Sequence, residues 1–117
     1  MKAVSFFFAV VLSFNVLALD ESQVGKVQEV APGVYFHQGD ISKGHCNQGW
    51  IVFKDFVLVV DGNFPSGVEV VLPKIKAATK KPIKFVVDTH HHGDHAYGNM
   101  KWFEVGAVPV ASKGALE

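Results

Sequence analysis

Apolar and polar positions along the chain predict a β-rich beginning. Residues 26–40, KVQEVAPGVYFHQGD, indicate two short extended segments divided by a Pro-Gly turn signal at 32–33. Runs of β-branched and aromatic residues predict strands at 50–53 and 56–60, and the Lys-Asp pair between them suits a tight hairpin. The first part of the chain is therefore expected to be built from short strands.

A helix is predicted between residues 66 and 80, where apolar residues recur at helical spacing. These residues are Val68, Val71, Leu72, Ile75 and Ala78. Ser66 is the candidate N-cap. Pro73 leaves two alternatives open, because an interior proline removes a hydrogen bond and clashes one turn back. Either the helix kinks there, or it begins near Pro73 and residues 66–72 form a separate turn.

The remaining pattern predicts a strand, a helix and a final strand. The short apolar segment 83–87 predicts the first of these strands, and residues 107–111 predict the second. Between them, residues 95–105 predict a helix with Trp102 and Val105 facing the core. Strands that alternate with helices after a β-rich start indicate an α/β layered sheet.

Length and composition fit one small domain with a core. The chain has 117 residues, of which 49% are hydrophobic, and its acidic and basic residues balance at 11 each. All the basic residues are lysines. Proteins that bind nucleic acids usually carry a basic excess and use the forked guanidinium of arginine, so no nucleic-acid partner is expected.

The N-terminus resembles a secretory signal peptide. An apolar run at 3–14 follows Lys2, and small residues precede a polar start at Asp20. We expect a signal peptide at 1–18, a secreted or periplasmic location, and no stable membrane anchor after cleavage. An uncleaved anchor is the alternative, but the run is short for a membrane span, which needs about 20 apolar residues.

Cys46 is the only cysteine, so it cannot form a disulfide within the chain. The expected role is that of a small buried apolar side chain. Its polar surroundings, GHCNQG, keep a metal ligand or nucleophile open as the alternative. The neighbouring His45 and the more distant His37 are expected to be ordinary loop or strand residues, with His45 as a candidate for the pocket mouth.

Four of the six histidines lie within HHHGDH at 90–95, where the strand 83–87 has ended and a helix is expected to begin. Side chains alternate along an extended segment, so His90 and His92 point to one side and can meet one metal ion, while His91 points away. The chain can bend sharply at the glycine that follows, which lets the remaining aspartate and histidine approach a second ion. Histidine and aspartate suit zinc, iron or manganese.

The motif HxHxDH, with IKFVVDT before it and AYGN after it, resembles the signature of the metallo-β-lactamase fold superfamily. The resemblance implies that His90 and His92 hold the first ion and that Asp94 and His95 hold the second. It also implies that Asp61 supports the site by orienting a ligand or the motif loop.

The fold class that this resemblance implies is α/β, namely the N-terminal half of an αββα metallo-β-lactamase sandwich. Such a half is a mixed sheet with helices on one side. Residues 19–117 would then form a partial metallo-β-lactamase-like domain whose C-terminal half is absent. The exposed sheet face of that half would favour self-association.

The implied activity is metal-dependent hydrolysis of a small-molecule ester, thioester, amide or lactam. Two Zn²⁺ ions are the expected cofactor, with iron or manganese as alternatives, because zinc lowers the pKa of a bound water to about 7. Asp94 is the candidate catalytic residue, since it could aim the attacking water. Trp50, Phe64 and Tyr97 are candidates for an apolar pocket wall, with a role in the core as the alternative.

Two other functions stay open at this stage. No histidine follows His95, whereas the superfamily takes further ligands from its second half, so we expect the isolated chain to be inactive. A non-catalytic, histidine-rich metal-binding module is one alternative. An iron-dependent oxygenase of the same fold is the other, and completion of the site by dimerisation is a weaker possibility.

Overall fold

The sheet is the organising element of the fold. The computed structural model describes residues 20–116, so the signal peptide predicted for 1–18 lies outside the described residues. Six strands follow one another across a single sheet in the order of the sequence. They are β1 Val27–Ala31, β2 Val34–His37, β3 Gln48–Val52, β4 Val57–Val60, β5 Ile83–Asp88 and β6 Val108–Ala111.

The sheet is mixed. Strands β1 to β4 pair antiparallel, and a short turn joins β3 to β4 as the hairpin pattern predicts, whereas residues 38–47 connect β2 to β3. Strands β4, β5 and β6 pair parallel, and each crossover between them contains helical residues. The prediction of an α/β fold with a mixed sheet is therefore confirmed. None of the described helices is long and apolar enough to cross a membrane.

Helix α1, Pro65–Ala78, is one continuous helix that runs through Pro73. The alternative in which the helix begins near Pro73 is therefore wrong. The prediction of Ser66 as the N-cap is wrong. The N-cap is Phe64, which has no side-chain capping bond, and the proline that follows it stands where a missing N–H costs nothing. The Ser66 hydroxyl instead lies 3.0 Å from Nε2 of His45.

The single helix predicted at 95–105 is wrong, because two short helices occupy this segment. They are α2, Gly93–Ala96, and α3, Asn99–Glu104. The break falls at Gly98, whose N–H donates to the carbonyl of Asn63 at 2.6 Å. A Cβ at Gly98 would collide with backbone there, so this close approach depends on glycine.

The core lies between the sheet and the helices α1 and α3. Trp102 is buried in it as predicted, whereas Val105 is 39% exposed and does not face the core. Of the candidate pocket-wall aromatics, Trp50 is fully buried and stacks on Tyr35. The ten residues of the core cluster are Trp50, Val57, Val59, Val68, Val71, Ile75, Ile83, Val86, Trp102 and Ala107.

The opposite side of the sheet, which we call the second face, is apolar and incompletely covered by the described residues. Alternation along each strand turns Leu58 and Val60 away from the helices, while their neighbours are buried against them. Cross-strand partners extend this surface over five strands. Its members are Val34, Phe36, Ile51, Leu58, Val60, Phe85, Val87, Val108 and Val110.

Candidate metal centre

The candidate centre lies where β4 and β5 end side by side. The backbone N–H of Asp61, just after β4, donates to the carbonyl of Val87 in β5 at 2.8 Å. The segment that follows β5 begins with Thr89 and carries the histidine motif. Ligand sites of open α/β sheets lie at the carboxyl ends of parallel strands, and this topology brings the motif to such an edge.

A tight turn after β4 holds Asp61 in position. Asp61 and Asn63 both have positive φ, at 69° and 58°, a conformation that aspartate and asparagine tolerate better than most residues. Nε2 of Gln48 donates to the carbonyl of Asp61 at 2.6 Å, and Nδ2 of Asn63 donates to Oε1 of Gln48 at 2.8 Å. The indole N–H of Trp102 donates to the carbonyl of Gly62 at 2.9 Å. These bonds fix the direction of the Asp61 side chain.

The Asp61 carboxylate joins the two segments. Its Oδ1 accepts hydrogen bonds from the N–H and the hydroxyl of Thr89, both at 2.8 Å. The same hydroxyl lies 3.0 Å from Nδ1 of His90. The other oxygen, Oδ2, lies 2.9 Å from Nδ1 of His95. One buried carboxylate thus contacts the strand end and the last motif histidine, and reaches the first one through Thr89.

Three of the predicted site residues come together tightly. Ligand atoms of Asp61, His90 and His95 all lie within 4.8 Å of one another. The imidazole centroids of His90 and His95 are 4.0 Å apart and the rings are tilted by 45°. The resemblance assigned these two histidines to different ions and gave Asp61 a supporting role, so the grouping differs from the expected pairing. Which ligand meets which ion remains a prediction.

The other motif residues lie around this cluster. The His92 ring is exposed, with its centroid 4.7 Å from that of His90. Oδ2 of Asp94 lies 3.2 Å from Nε2 of His95. His91 is exposed and packs edge-on against His92 with centroids 5.0 Å apart. The ligands predicted from the motif therefore all lie between the end of β5 and the end of α2, with Asp94 and His95 in the helix itself.

The donor set fits a transition-metal ion. Two imidazoles and a carboxylate are common ligands of zinc, and a catalytic zinc keeps three protein ligands and one open position. Nδ1 of His95 is buried and makes no hydrogen bond with suitable geometry, although Asp61 is near. A buried nitrogen in that state is costly, and a metal ion would satisfy it.

A cleft of about 610 Å³ opens beside the cluster. His45, the candidate for the pocket mouth, lines it together with Cys46, Asp61, Asp94 and His95. Cys46 is buried, as expected. Burial raises the pKa of its thiol to about 12, and the negative charges of Asp61 and Asp94 add to this effect. A thiol in that state is protonated at neutral pH.

Other polar residues support this end of the sheet, and the sequence pattern predicted no role for them. Nδ2 of Asn99 donates to Oδ2 of Asp88 at 2.5 Å. Burial raises the pKa of Asp88, with a further contribution from the charge of Asp61, while the bond from Asn99 acts in the opposite direction. Neither Gln48 nor Thr89 was singled out, because their contacts depend on segments that lie far apart in the sequence. Asn99 is the last residue of the AYGN tract, and its place in that tract was the one sequence signal that it belongs to the site.

The aromatic residues Phe64 and Tyr97 do not line this cleft. Tyr97 is 68% exposed and packs edge-on against Phe64, with ring centroids 5.9 Å apart. With Trp50 buried in the core, none of the three predicted wall aromatics borders the cleft. Residues of the β2–β3 connection line the cleft instead.

Comparisons with known proteins agree with this geometry. The sequence profile of the metallo-beta-lactamase superfamily matches residues 41–115. The chain is similar to the metallo-beta-lactamase FIM-1 from Pseudomonas aeruginosa, solved in a mono-zinc form, with 25% identity and a TM-score of 0.63 over 76% of this chain and 42% of that one. It is also similar to the metallo-beta-lactamase from Pontibacter korlensis, with 23% identity and a TM-score of 0.68 over 77% of this chain and 44% of that one.

A metallo-beta-lactamase of Cronobacter sakazakii gives a TM-score of 0.63 at 17% identity, over 74% of this chain and 33% of that one. The chain thus spans less than half the length of these solved structures. Comparison with curated protein sequences gave no match. The fold, the profile match and the HxHxDH motif at a strand end lead to one conclusion: the chain belongs to the metallo-beta-lactamase superfamily.

Proposed function

We propose that this chain carries the first metal-binding motif of a hydrolase that uses zinc to cleave an ester, thioester, amide or lactam with water. The observation that carries the proposal is the convergence of Asp61, His90 and His95 within 4.8 Å at the ends of two parallel strands. Membership of the superfamily supports metal-dependent hydrolysis. The mono-zinc form of FIM-1, a structural relative, supports zinc as the metal.

The proposed site holds two metal ions. His90 and His92 would hold the first, and Asp94 with His95 would hold the second. When bound, zinc lowers the pKa of water and polarises the bond under attack. The contact between the rings of His90 and His92 and the 3.2 Å separation of Asp94 from His95 are compatible with this pairing.

The protein's own residues would arrange the reaction in three ways. Asp94 lines the cleft beside His95, so its carboxylate can accept a hydrogen bond from the attacking water and direct it. Asp61 fixes the motif loop through Thr89, so the histidines need little rearrangement. His91 is exposed and outside the ligand cluster, which leaves it without a part in the chemistry.

The cleft is suited to a small-molecule substrate. Its volume of about 610 Å³ lies within the range of small-molecule sites, and both polar and apolar residues line it. A secreted or periplasmic location belongs to this proposal through the signal-like segment at 1–18. No nucleic-acid partner is proposed, since the chain has no arginine and no excess of positive charge.

Metal content and turnover test the proposal together. The protein is reconstituted separately with zinc, iron and manganese, and bound metal is counted by mass spectrometry. Each form is then offered a chromogenic β-lactam, an aryl ester and an acyl thioester. We expect zinc to bind stoichiometrically and His90→Ala to lose it, while the matched variant His91→Ala keeps it.

The outcomes separate the alternatives. Turnover of any of the three substrates by the zinc form supports the hydrolase. Weak, exchangeable zinc and no turnover, even when the second half of a superfamily hydrolase is supplied, would indicate a metal-binding module instead. Oxygen consumption by the iron form alone would favour an oxygenase of the same fold.

A further inference from the structure

Lysines concentrate at the end of the sheet opposite the candidate metal centre. The stretch 74–84 holds five of the eleven lysines and no acidic residue. It contains the last turn of α1, the connection to β5 and the start of β5. Because β4 and β5 are parallel and α1 returns the chain between them, this surface, which we call the lysine end, lies one sheet length from the histidine motif.

The lysine end keeps its positive charge largely unneutralised. Among the residues that the structure describes, ion pairs form at Lys43, Lys101 and His95 only. The lysines of 74–84 therefore have no carboxylate partner within 4.0 Å. The exposed acids at this end, Asp55 and Glu104, are outnumbered by the lysines.

Three of these ammonium groups donate to backbone carbonyls, the longest bond being that from Nζ of Lys80 to the carbonyl of Lys76 at 3.4 Å. Nζ of Lys81 donates to the carbonyl of Phe53 at 2.8 Å, which links the β5 side of this end to the β3–β4 turn. Nζ of Lys74 donates to the carbonyl of Gly25 at 2.7 Å and is turned toward the first strand. Lys76, Lys80 and Lys84 remain exposed and available to a partner.

Apolar surface lies between the lysines. A depression of about 340 Å³ has the partly exposed Val105 at its wall, and the buried Ile75 and Ile83 lie at its base. Lysines and the 79–82 connection form the rest of its wall, including Lys76, Lys80 and Lys81. Positive charges around an apolar hollow fit an amphiphilic anion better than they fit a fully hydrated one.

Aromatic rings continue this surface on the other side of the sheet. Phe53 is 42% exposed and stacks on Phe56, with ring centroids 4.9 Å apart. The ammonium of Lys84 lies 5.7 Å from the Phe56 ring centre and 5.6 Å from that of Phe85. A partly exposed ring beside a lysine is the combination found where proteins meet the headgroup layer of a membrane.

We propose that the lysine end docks on the surface of an anionic phospholipid bilayer. Unpaired lysines supply attraction to the phosphates, and the depression and Phe53 supply apolar contact at the level of the glycerol backbone. The absence of arginine argues against nucleic acid, whose phosphates are best matched by a guanidinium fork. A lysine surface that is only solvated requires neither an exposed aromatic ring nor an apolar depression, so these two features favour a lipid partner. In this orientation the metal centre faces away from the lipid.

Vesicle co-sedimentation of the full chain tests this proposal. The vesicles are either pure phosphatidylcholine or phosphatidylcholine with about a third phosphatidylglycerol. The test variant is Lys76→Gln with Lys80→Gln, and the matched control is Lys43→Gln with Lys113→Gln, which removes the same charge away from the lysine end. Both keep residues 1–19 unchanged, so any binding through that segment is common to them.

We expect the wild type to bind the anionic vesicles more tightly than the neutral ones and to be released by about 0.5 M salt. The test variant should bind at least tenfold more weakly, and the control within twofold of the wild type. Equal losses in the two variants would overturn the proposal, as would equal binding to neutral vesicles. Displacement of the vesicles by a duplex oligonucleotide at lower concentration would show that the surface prefers nucleic acid. Circular dichroism of each variant verifies that it is folded.

Discussion

The carboxylate of Asp61 accepts two hydrogen bonds from Thr89, one from its backbone N–H and one from its hydroxyl, each 2.8 Å long. These bonds join the end of β4 to the end of β5. Because the Thr89 hydroxyl also lies 3.0 Å from His90, the position of the first motif histidine depends on Asp61 without direct contact. His95 depends on it directly, through the 2.9 Å separation of its Nδ1 from Oδ2.

Replacing Asp61 should therefore weaken metal binding. Asp61→Asn keeps the size of the side chain but removes its negative charge, and one of its two acceptor oxygens becomes a donor. We expect zinc affinity to fall by roughly 10- to 100-fold, as for other groups that orient metal ligands. Competition with a chromophoric chelator measures the affinity. Asp55→Asn, in the exposed β3–β4 turn, is the matched control, and equal affinities for the two variants would show that Asp61 does not support the site.

The histidines of the motif should differ in their effect. His90→Ala removes a member of the tight cluster, so we expect loss of stoichiometric zinc. His91→Ala removes an exposed ring outside the cluster, so zinc binding should be unchanged. Metal counting by mass spectrometry after dialysis distinguishes them. Loss of zinc from both variants to the same degree would mean that the cluster is not the binding site.

His37 should make the protein acid-sensitive. Its ring is 2% exposed and neither nitrogen has a hydrogen-bond partner. Burial lowers its pKa from 6.5 to about 4, with smaller contributions from the positive charges of Lys74 and His45. Below pH 6.5 the unfolded chain takes up a proton that the folded chain refuses until about pH 4, so stability is lost as the pH falls through this window. The loss amounts to roughly 3 kcal/mol.

Denaturant unfolding at pH 7 and at pH 4.5 tests this expectation. His37→Gln cannot titrate, so the difference in its unfolding free energy between the two pH values should be smaller than in the wild type. His91→Gln, at an exposed position, should retain the full difference. If all three proteins lose the same free energy on acidification, His37 is not the source of the sensitivity.

Cys46 should resist thiol reagents while the protein is folded. The residue is 7% exposed and burial raises the pKa of its thiol to about 12, so at pH 8 the sulfur is hard to reach and little thiolate is present. We expect reaction with a disulfide-exchange reagent to be at least about a hundredfold slower in the native protein than in denaturant. Comparable rates in the two conditions would show that the cleft exposes the sulfur.

The second face of the sheet should cause self-association, as the sequence predicts. An apolar surface that spans five strands is larger than monomeric proteins usually leave in contact with water. Leu58→Glu places a charge at its middle and should shift the protein toward monomer in size-exclusion light scattering. Val70→Glu adds the same charge on the outer side of α1, where the side chain is 41% exposed, and should leave the association unchanged. A wild-type monomer at all concentrations would contradict this prediction.

The local pattern of apolar and polar residues was sufficient to predict most of the strands and helices. The predicted strands and the first helix lie within a few residues of their observed positions, because their apolar periodicity matches the face that is buried. The pattern was wrong about Ser66 as the N-cap and left two alternatives open at Pro73. A capping residue was available but a preceding proline began the helix, and the interior proline was accommodated within one continuous α1.

Long-range contacts account for what the sequence pattern missed. Gly98 ends α2 because its backbone meets the carbonyls of Gly62 and Asn63, which are more than thirty positions away. The grouping of Asp61 with His90 and His95 has the same origin, since it requires β4 and β5 to lie side by side. Spacing within the motif identified the candidate ligands, but their arrangement depends on the topology of the sheet.

The topology of the sheet also implies an order in which contacts form during folding. The β3–β4 hairpin pairs residues that are close in sequence, whereas the bonds between Asp61 and Thr89 connect positions 28 residues apart. Contacts between sequence neighbours form within microseconds, and those that close long loops form more slowly. The hairpins should thus be present before the two parallel strands meet. The histidines acquire their mutual geometry only at that late step, so metal capture follows folding of the sheet and does not initiate it.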